Sequence, residues 1–173
     1  MINPFAIFDL PVAFNVDQAI LSERYLALQK SLHPDNFVTA DAQEQRIAMQ
    51  KSTEVNDALK TLKDPILRAE AIITLNTGEA QDLEQKSTQD VAFLMQQLEW
   101  REELENIEQS QDENALESFA KRVKKETKEM LTALEAQLNE QQWSTAAQFC
   151  DKLRFLKKLA DEISQVEERL FEL

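Results

Sequence analysis

Apolar positions recur every three or four residues along most of the chain, the period of amphipathic helices rather than strands. A dense apolar opening, Phe5, Ile7, Phe8, Leu10, Val12 and Phe14, surrounds Pro11. Asn15 with Gln18 has the spacing of a capping box. A helix follows to about Leu32, with Ile20, Leu21, Tyr25, Leu28 and Leu32 along one face. Pro34 ends it, because the residue before a proline is disfavoured in the α region. The loop from His33 to Ala40 is polar apart from Phe37 and Val38, and Asp41 with Glu44 caps the next helix. That helix carries Ala48, Val55, Ala58, Leu59 and Leu62 on one side. Asp64-Pro65 reads as a cap and first turn, and the short helix it opens can stop at Gly78.

Three longer helices are predicted beyond residue 86. Ser87 with Asp90 opens the first, to about Gln109, and Ser110 with Glu113 opens the second, to about Glu140. The second has a stripe of Leu116, Phe119, Ala120, Val123, Met130, Leu131, Leu134 and Leu138. The third runs from about Trp143 to the C-terminus with Ala146, Cys150, Leu153, Leu156, Ala160, Ile163 and Leu170 in line. Short polar connections between long helices favour antiparallel neighbours, so a three-helix bundle is expected. The fold class is therefore all-α, with a helical hairpin plus short helices over residues 1–75, a linker over 76–86 and a three-helix bundle over 87–173.

Composition narrows the chemistry. A single glycine excludes a glycine-rich phosphate loop, one cysteine excludes an internal disulfide, and one histidine argues against a two-histidine metal or catalytic site. The formal net charge is −13, which disfavours general binding to phosphate backbones. It divides unevenly, net −3 over residues 1–77 and net −10 over 78–173, as expected of two modules. No apolar run approaches a membrane span, and the opening Met1-Ile2-Asn3-Pro4 lacks the basic region of a signal peptide. A cytoplasmic address follows as the expectation, with no nucleic-acid and no membrane partner. No cofactor is expected.

The tripeptide His33-Pro34-Asp35 lies in the loop between two amphipathic helices. Pro34 fixes its own φ and stiffens the loop tip, so His33 and Asp35 are presented with little ordering cost on binding. Read alone, His33 can equally be a helix C-cap and Asp35 a turn former. The placement carries more than the tripeptide. Tyr25 and Leu28 precede it, Phe37 follows it, Asn56-Asp57-Ala58 lies on the next helix, and Leu62-Lys63-Asp64-Pro65 with Arg68-Ala69 completes the set.

Together these residues resemble a J-domain, the module by which DnaJ-type co-chaperones stimulate DnaK-class ATPases. The resemblance implies that His33, Pro34 and Asp35 engage the ATP-bound chaperone, with Arg24 and Lys30 on the preceding helix facing an acidic patch of that partner. The pattern departs from many J-domains at Asn36, where a lysine is common, and at the uncharged Leu26 and Ala27. Steering by two cations is weaker than by four, and salt screens it over about 8 Å.

The helix over 88–109 has two apolar faces when residues are placed at about 100° steps. Trp100, Leu104 and Ile107 fall within about 40° of Phe93, whereas Val91, Leu94, Met95 and Leu98 fall between about 100° and 200°. A bundle helix needs one such face. The second, edged by Glu99, Glu102 and Glu105, reads as a partner site or as a face buried elsewhere in the protein. Ala92-Phe93-Leu94-Met95, Gln97-Leu98-Glu99, Arg101-Glu102-Glu103-Leu104, Leu116-Glu117-Ser118-Phe119, Lys121-Arg122-Val123-Lys124-Lys125 and Lys152-Leu153-Arg154-Phe155-Leu156 extend the resemblance to the whole chain. It is to the HscB-type family, the J-type co-chaperones of iron–sulfur cluster assembly. This implies binding of an IscU-type cluster scaffold through Leu94, Met95, Leu98, Glu99, Glu102 and Phe155. Phe155 lies about 120° from the stripe of its own helix, so it is not an obvious core position. Asn106 stands where an acidic residue would lengthen the rim.

The run Lys121 to Lys125 is interleaved with Glu117, Glu126 and Glu129 at helical spacing and reads as a solvated, ion-paired face. Cys150, on an apolar stripe, reads as a small buried hydrophobe. The expected function is non-enzymatic: stimulation of an HscA/DnaK-class ATPase and delivery of the scaffold to it. A J-protein for another client, a helical adaptor, and an enzyme using His33 as a base remain the alternatives.

Overall fold

A computed structural model of the chain describes residues 2–79 and 90–171. It divides into two compact units, Met1–Glu79 and Ala80–Leu173. All regular structure among the described residues is helical. The expected cap at Ser87 and residues 80–86 of the expected linker lie outside the described residues.

In the first unit, α1 spans Pro4–Ile7, α2 Gln18–Ser31, α3 Ala42–Lys63 and α4 Pro65–Thr77, with a single 3₁₀ turn at Pro34–Phe37 between α2 and α3. Helices α2 and α3 form the expected hairpin, and α1 and α4 pack on α3. Phe5, Phe8, Leu21, Val55, Leu62, Ala69 and Ile73 fill the core. The expected cap at Asn15 is replaced by Asp17, whose carboxylate accepts from the Ala19 and Ile20 amides at 2.9 and 3.2 Å. A charged acceptor directly before the first turn serves the positive helix end better than an amide two residues earlier. Asp41 and Asp64 cap α3 and α4 as expected. Gly78 ends α4 with φ of 76°, the left-handed conformation a side chain resists.

Arg68 is the one charged side chain buried in this unit among the described residues. It donates to the Leu62 carbonyl at 2.7 Å and lies over the Phe14 ring at 4.9 Å. Burial lowers its pKa, and the charge of Asp64 opposes that shift. The guanidinium stays charged while it joins the α3–α4 corner to the N-terminal segment.

The second unit is the three-helix bundle: α5 Val91–Ser110, α6 Glu113–Asn139 and α7 Trp143–Phe171. Its core contains Phe93, Leu104, Ile107, Phe119, Val123, Leu134, Leu153, Leu156, Leu159, Ile163 and Val166. Asp90 caps α5, while α6 is capped by Asp112, which accepts from the Ala115 amide at 3.0 Å, and not by Ser110. Ser110 instead closes α5, its hydroxyl donating to the Ile107 carbonyl at 3.2 Å.

The α7 stripe needs correction. Ala160 is exposed, and Leu159 and Val166 are buried although outside the expected line. Phe155 is also core, at 8% exposure. The reason is geometric: α7 meets both α5 and α6, so its buried arc is wider than one stripe. At 100° per residue, Phe155, Leu159 and Val166 lie about 60–100° to one side of Leu156 and Leu153 lies about 60° to the other. Their side meets α5, through the Phe155–Phe93 ring contact at 5.8 Å and the Arg101–Glu162 ion pair at 2.9 Å. Among the described residues no helix is long and apolar enough to cross a membrane.

Candidate partner-binding sites

The first candidate is the loop between α2 and α3. Leu32 is the C-cap of α2 and His33 caps the 3₁₀ turn, so His33 is not the C-cap of α2. Its Nδ1 accepts from the Asp35 amide at 3.2 Å. The Asp35 carboxylate lies 3.5 Å from the same Nδ1, and both side chains are open to solvent. The loop therefore exposes an imidazole and a carboxylate side by side, on a backbone stiffened by Pro34.

The polar contacts behind it explain two of the other marked residues, Tyr25 and Asn56. Asn56 of α3 accepts from the Tyr25 hydroxyl at 2.8 Å and from the Gln29 amide at 2.7 Å, both from α2. These bonds fix the two helices whose ends carry the loop. Leu32, Pro34, Phe37, Val38, Ala48 and Met49 line an apolar groove of about 440 Å³ beside the tripeptide.

The two cations of α2 have different environments. Lys30 is exposed in the last turn, next to the loop. Arg24 donates to the Phe8 and Asp9 carbonyls at 2.8 and 2.6 Å. It stitches the end of α1 to α2, where Asp9 has a φ of 52°. Sequence spacing marks Arg24 only as a surface charge, because its acceptors lie fifteen and sixteen residues earlier.

The second candidate is the outer face of α5. Phe93, Leu104 and Ile107 are buried on the inner side, with Trp100 half-buried against Phe119 and Phe155. On the other side Val91, Met95 and Leu98 are 69%, 54% and 65% exposed, and Leu94 is half-buried. The two apolar faces read from the sequence are thus distinct, and within this unit one of them is open. Glu99 and Glu102 are exposed beside it and, with Glu103, Asn106, Ile107 and Ser110, line a groove of about 470 Å³. Phe155 does not join this surface. Its ring stands behind α5, between Phe93 and Trp100, with the Arg101 guanidinium 5.6 Å above it.

The basic run of α6 is ion-paired at two places: Lys121 meets Glu117 at 3.3 Å, and Arg122 forms a two-pronged bond to Glu103. Cys150 is buried.

Residues 89–164 match the family described as the HSCB C-terminal oligomerisation domain. The chain is 70% identical over all of its 173 residues to the co-chaperone protein HscB homolog of Haemophilus influenzae, covering 99% of that protein. It is 61% identical to the homolog of Pasteurella multocida over 98% of this chain and 99% of that one. Among solved structures, the chaperone HscB of Vibrio cholerae superposes with a TM-score of 0.88 at 40% identity, over 98% of this chain and 100% of that one. Human co-chaperone HscB superposes with a TM-score of 0.86 at 27% identity, over 100% of this chain and 84% of that one. With a J-type helical hairpin, a three-helix bundle and full-length identity to curated relatives, the chain belongs to the HscB family of co-chaperones.

Proposed function

We propose that the protein stimulates ATP hydrolysis by an HscA/DnaK-class chaperone and hands to it an IscU-type scaffold during iron–sulfur cluster assembly, in the cytoplasm. Residues 1–75 act as the J-domain, whose α4 runs on to Thr77, and 87–173 as the client-binding domain. The observation that carries this reading is the loop at His33-Pro34-Asp35, exposed and held between two cross-linked helices. An imidazole and a carboxylate fixed in this way supply a donor and an acceptor to a partner without first being ordered. They do no bond chemistry themselves. The chaperone's own catalytic groups hydrolyse ATP, and the loop favours the conformation in which they do so.

Lys30 stands beside the loop and contributes long-range attraction to an acidic partner surface. Arg24 serves chiefly to hold α1 against α2. The scaffold sits on Leu94, Met95 and Leu98, with Glu99 and Glu102 at its edge. Phe155 supports this face from behind α5. Because one chain holds both partners, the scaffold's effective concentration at the chaperone rises without any new contact. Single-turnover ATPase of the cognate chaperone, with and without this protein and the scaffold, tests the reading. Stimulation by the protein, increased by scaffold, is the expected result. No stimulation by the intact protein would overturn it.

A further inference from the structure

The tripeptide loop is closed at both ends by side-chain amides. Asn36 Nδ2 donates to the carbonyls of Lys30 and Ser31 at 2.8 and 3.3 Å. These belong to the last turn of α2, where carbonyls have no intrahelical donor. The Asn36 amide itself donates to the His33 carbonyl at 2.9 Å. On the far side, Gln45 Nε2 reaches from the second turn of α3 to the carbonyls of Phe37 and Ala40 at 3.0 and 3.2 Å. One amide thus ties the 3₁₀ turn back to α2, and the other ties the end of that turn forward to α3. A carboxamide suits both places because its NH₂ has two hydrogens and each is given to a carbonyl. A carboxylate of the same shape would set acceptor against acceptor.

Both side chains are exposed. They add nothing to the apolar core, and they are not part of the tripeptide. Through them the segment that carries residues 33–35 is tied to both helices. We infer that Asn36 and Gln45 are positioning residues for the chaperone-docking loop, which act by pre-ordering His33 and Asp35 rather than by touching the partner; the inference rests on the reading of that loop given above. It also gives Asn36 a role of its own: the residue that stands where a charge is common closes a helix.

The test uses the full chain with Asn36→Ala, Asn36→Asp, Gln45→Ala and Gln45→Glu, beside His33→Gln. Three quantities are read: the concentration for half-maximal ATPase stimulation, the maximal stimulation, and backbone amide exchange over residues 35–40. Losing one or two solvent-exposed hydrogen bonds is worth about a five- to tenfold change in an equilibrium. Each Asn36 and Gln45 variant should therefore raise the half-maximal concentration about five- to tenfold, leave the maximum unchanged and speed loop exchange. The Asp and Glu variants should be at least as impaired as the alanines. His33→Gln should instead remove stimulation at every concentration. Unchanged loop exchange, or faster exchange with an unchanged half-maximal concentration, overturns the positioning role and leaves the loop reading intact when His33→Gln is silent. Normal stimulation by His33→Gln overturns the loop reading and this inference with it. Gln45 lies on a different element from Asn36, so agreement between the two excludes a fault peculiar to the end of α2.

Discussion

Single residues in the docking loop and in its support should separate cleanly. His33 and Asp35 are exposed and carry no core packing, so His33→Gln and Asp35→Asn should abolish ATPase stimulation while changing stability by less than about 0.5 kcal/mol. Denaturant titration beside the ATPase assay checks this, and a large loss of helicity would mark both residues as structural. Arg24 should behave differently from Lys30. Arg24→Glu removes two charge-assisted bonds to backbone carbonyls and should destabilise the first unit by about 1–3 kcal/mol. Lys30→Glu should leave stability alone and raise the half-maximal concentration, most strongly at low salt. If the two charge reversals have equal effects on stability, the stitching role of Arg24 is wrong. Residue-level chemistry of this kind was only half legible in the sequence. Chain neighbours made the stiff tripeptide readable, whereas the acceptors of Arg24 and of Gln45 become visible only once helices are packed or loops closed.

At the level of the helix, α5 carries the sharpest expectation. Leu94→Ala, Met95→Ala and Leu98→Ala should each weaken scaffold binding, since such side chains are worth about 1.5–3 kcal/mol when buried in an interface. Met95→Ala and Leu98→Ala should cost little folding stability, because both side chains are exposed in the free unit. Leu104→Ala should destabilise by about 2–5 kcal/mol and Phe155→Ala by about 3–5 kcal/mol, because both are buried in the bundle. Calorimetry for binding and denaturant titration for stability, on the same variants, decide the matter. Equal destabilisation by Leu98→Ala and Leu104→Ala would make the outer face core. The helix ends offer an independent check. Gln111 and Gln141 follow α5 and α6 with φ of 53° and 59°, and the next amides bond back to Ile107 and Gln137. A non-glycine residue in this left-handed cap is strained, so Gln111→Gly and Gln141→Gly should each stabilise the bundle by about 0.5–1 kcal/mol in thermal or denaturant unfolding.

For the whole molecule, the proposed coupling requires both sites on one chain. Under the proposed function, a full-length His33→Gln variant should bind scaffold only, and a full-length Met95→Ala/Leu98→Ala variant should dock to the chaperone only. Mixed together they should not restore scaffold-enhanced ATPase, because the effective-concentration advantage is lost when the sites are on separate molecules. Complementation in the mixture would mean that the working unit contains more than one chain. Helical class, the order of the elements and the two faces of α5 were determined by the sequence itself, because each depends on periodicity and on residues within a turn or two of one another. Asp41, Asp64 and Gly78 mark their helix boundaries for the same reason. What only the tertiary structure decided is which side of each helix meets which neighbour. Phe155 shows why: its position relative to its own stripe is set by the 100° step, but whether that side meets water or α5 depends on how three helices pack. The same holds for Arg24, whose charge is plain in the sequence and whose partners are backbone carbonyls that another helix brings to it.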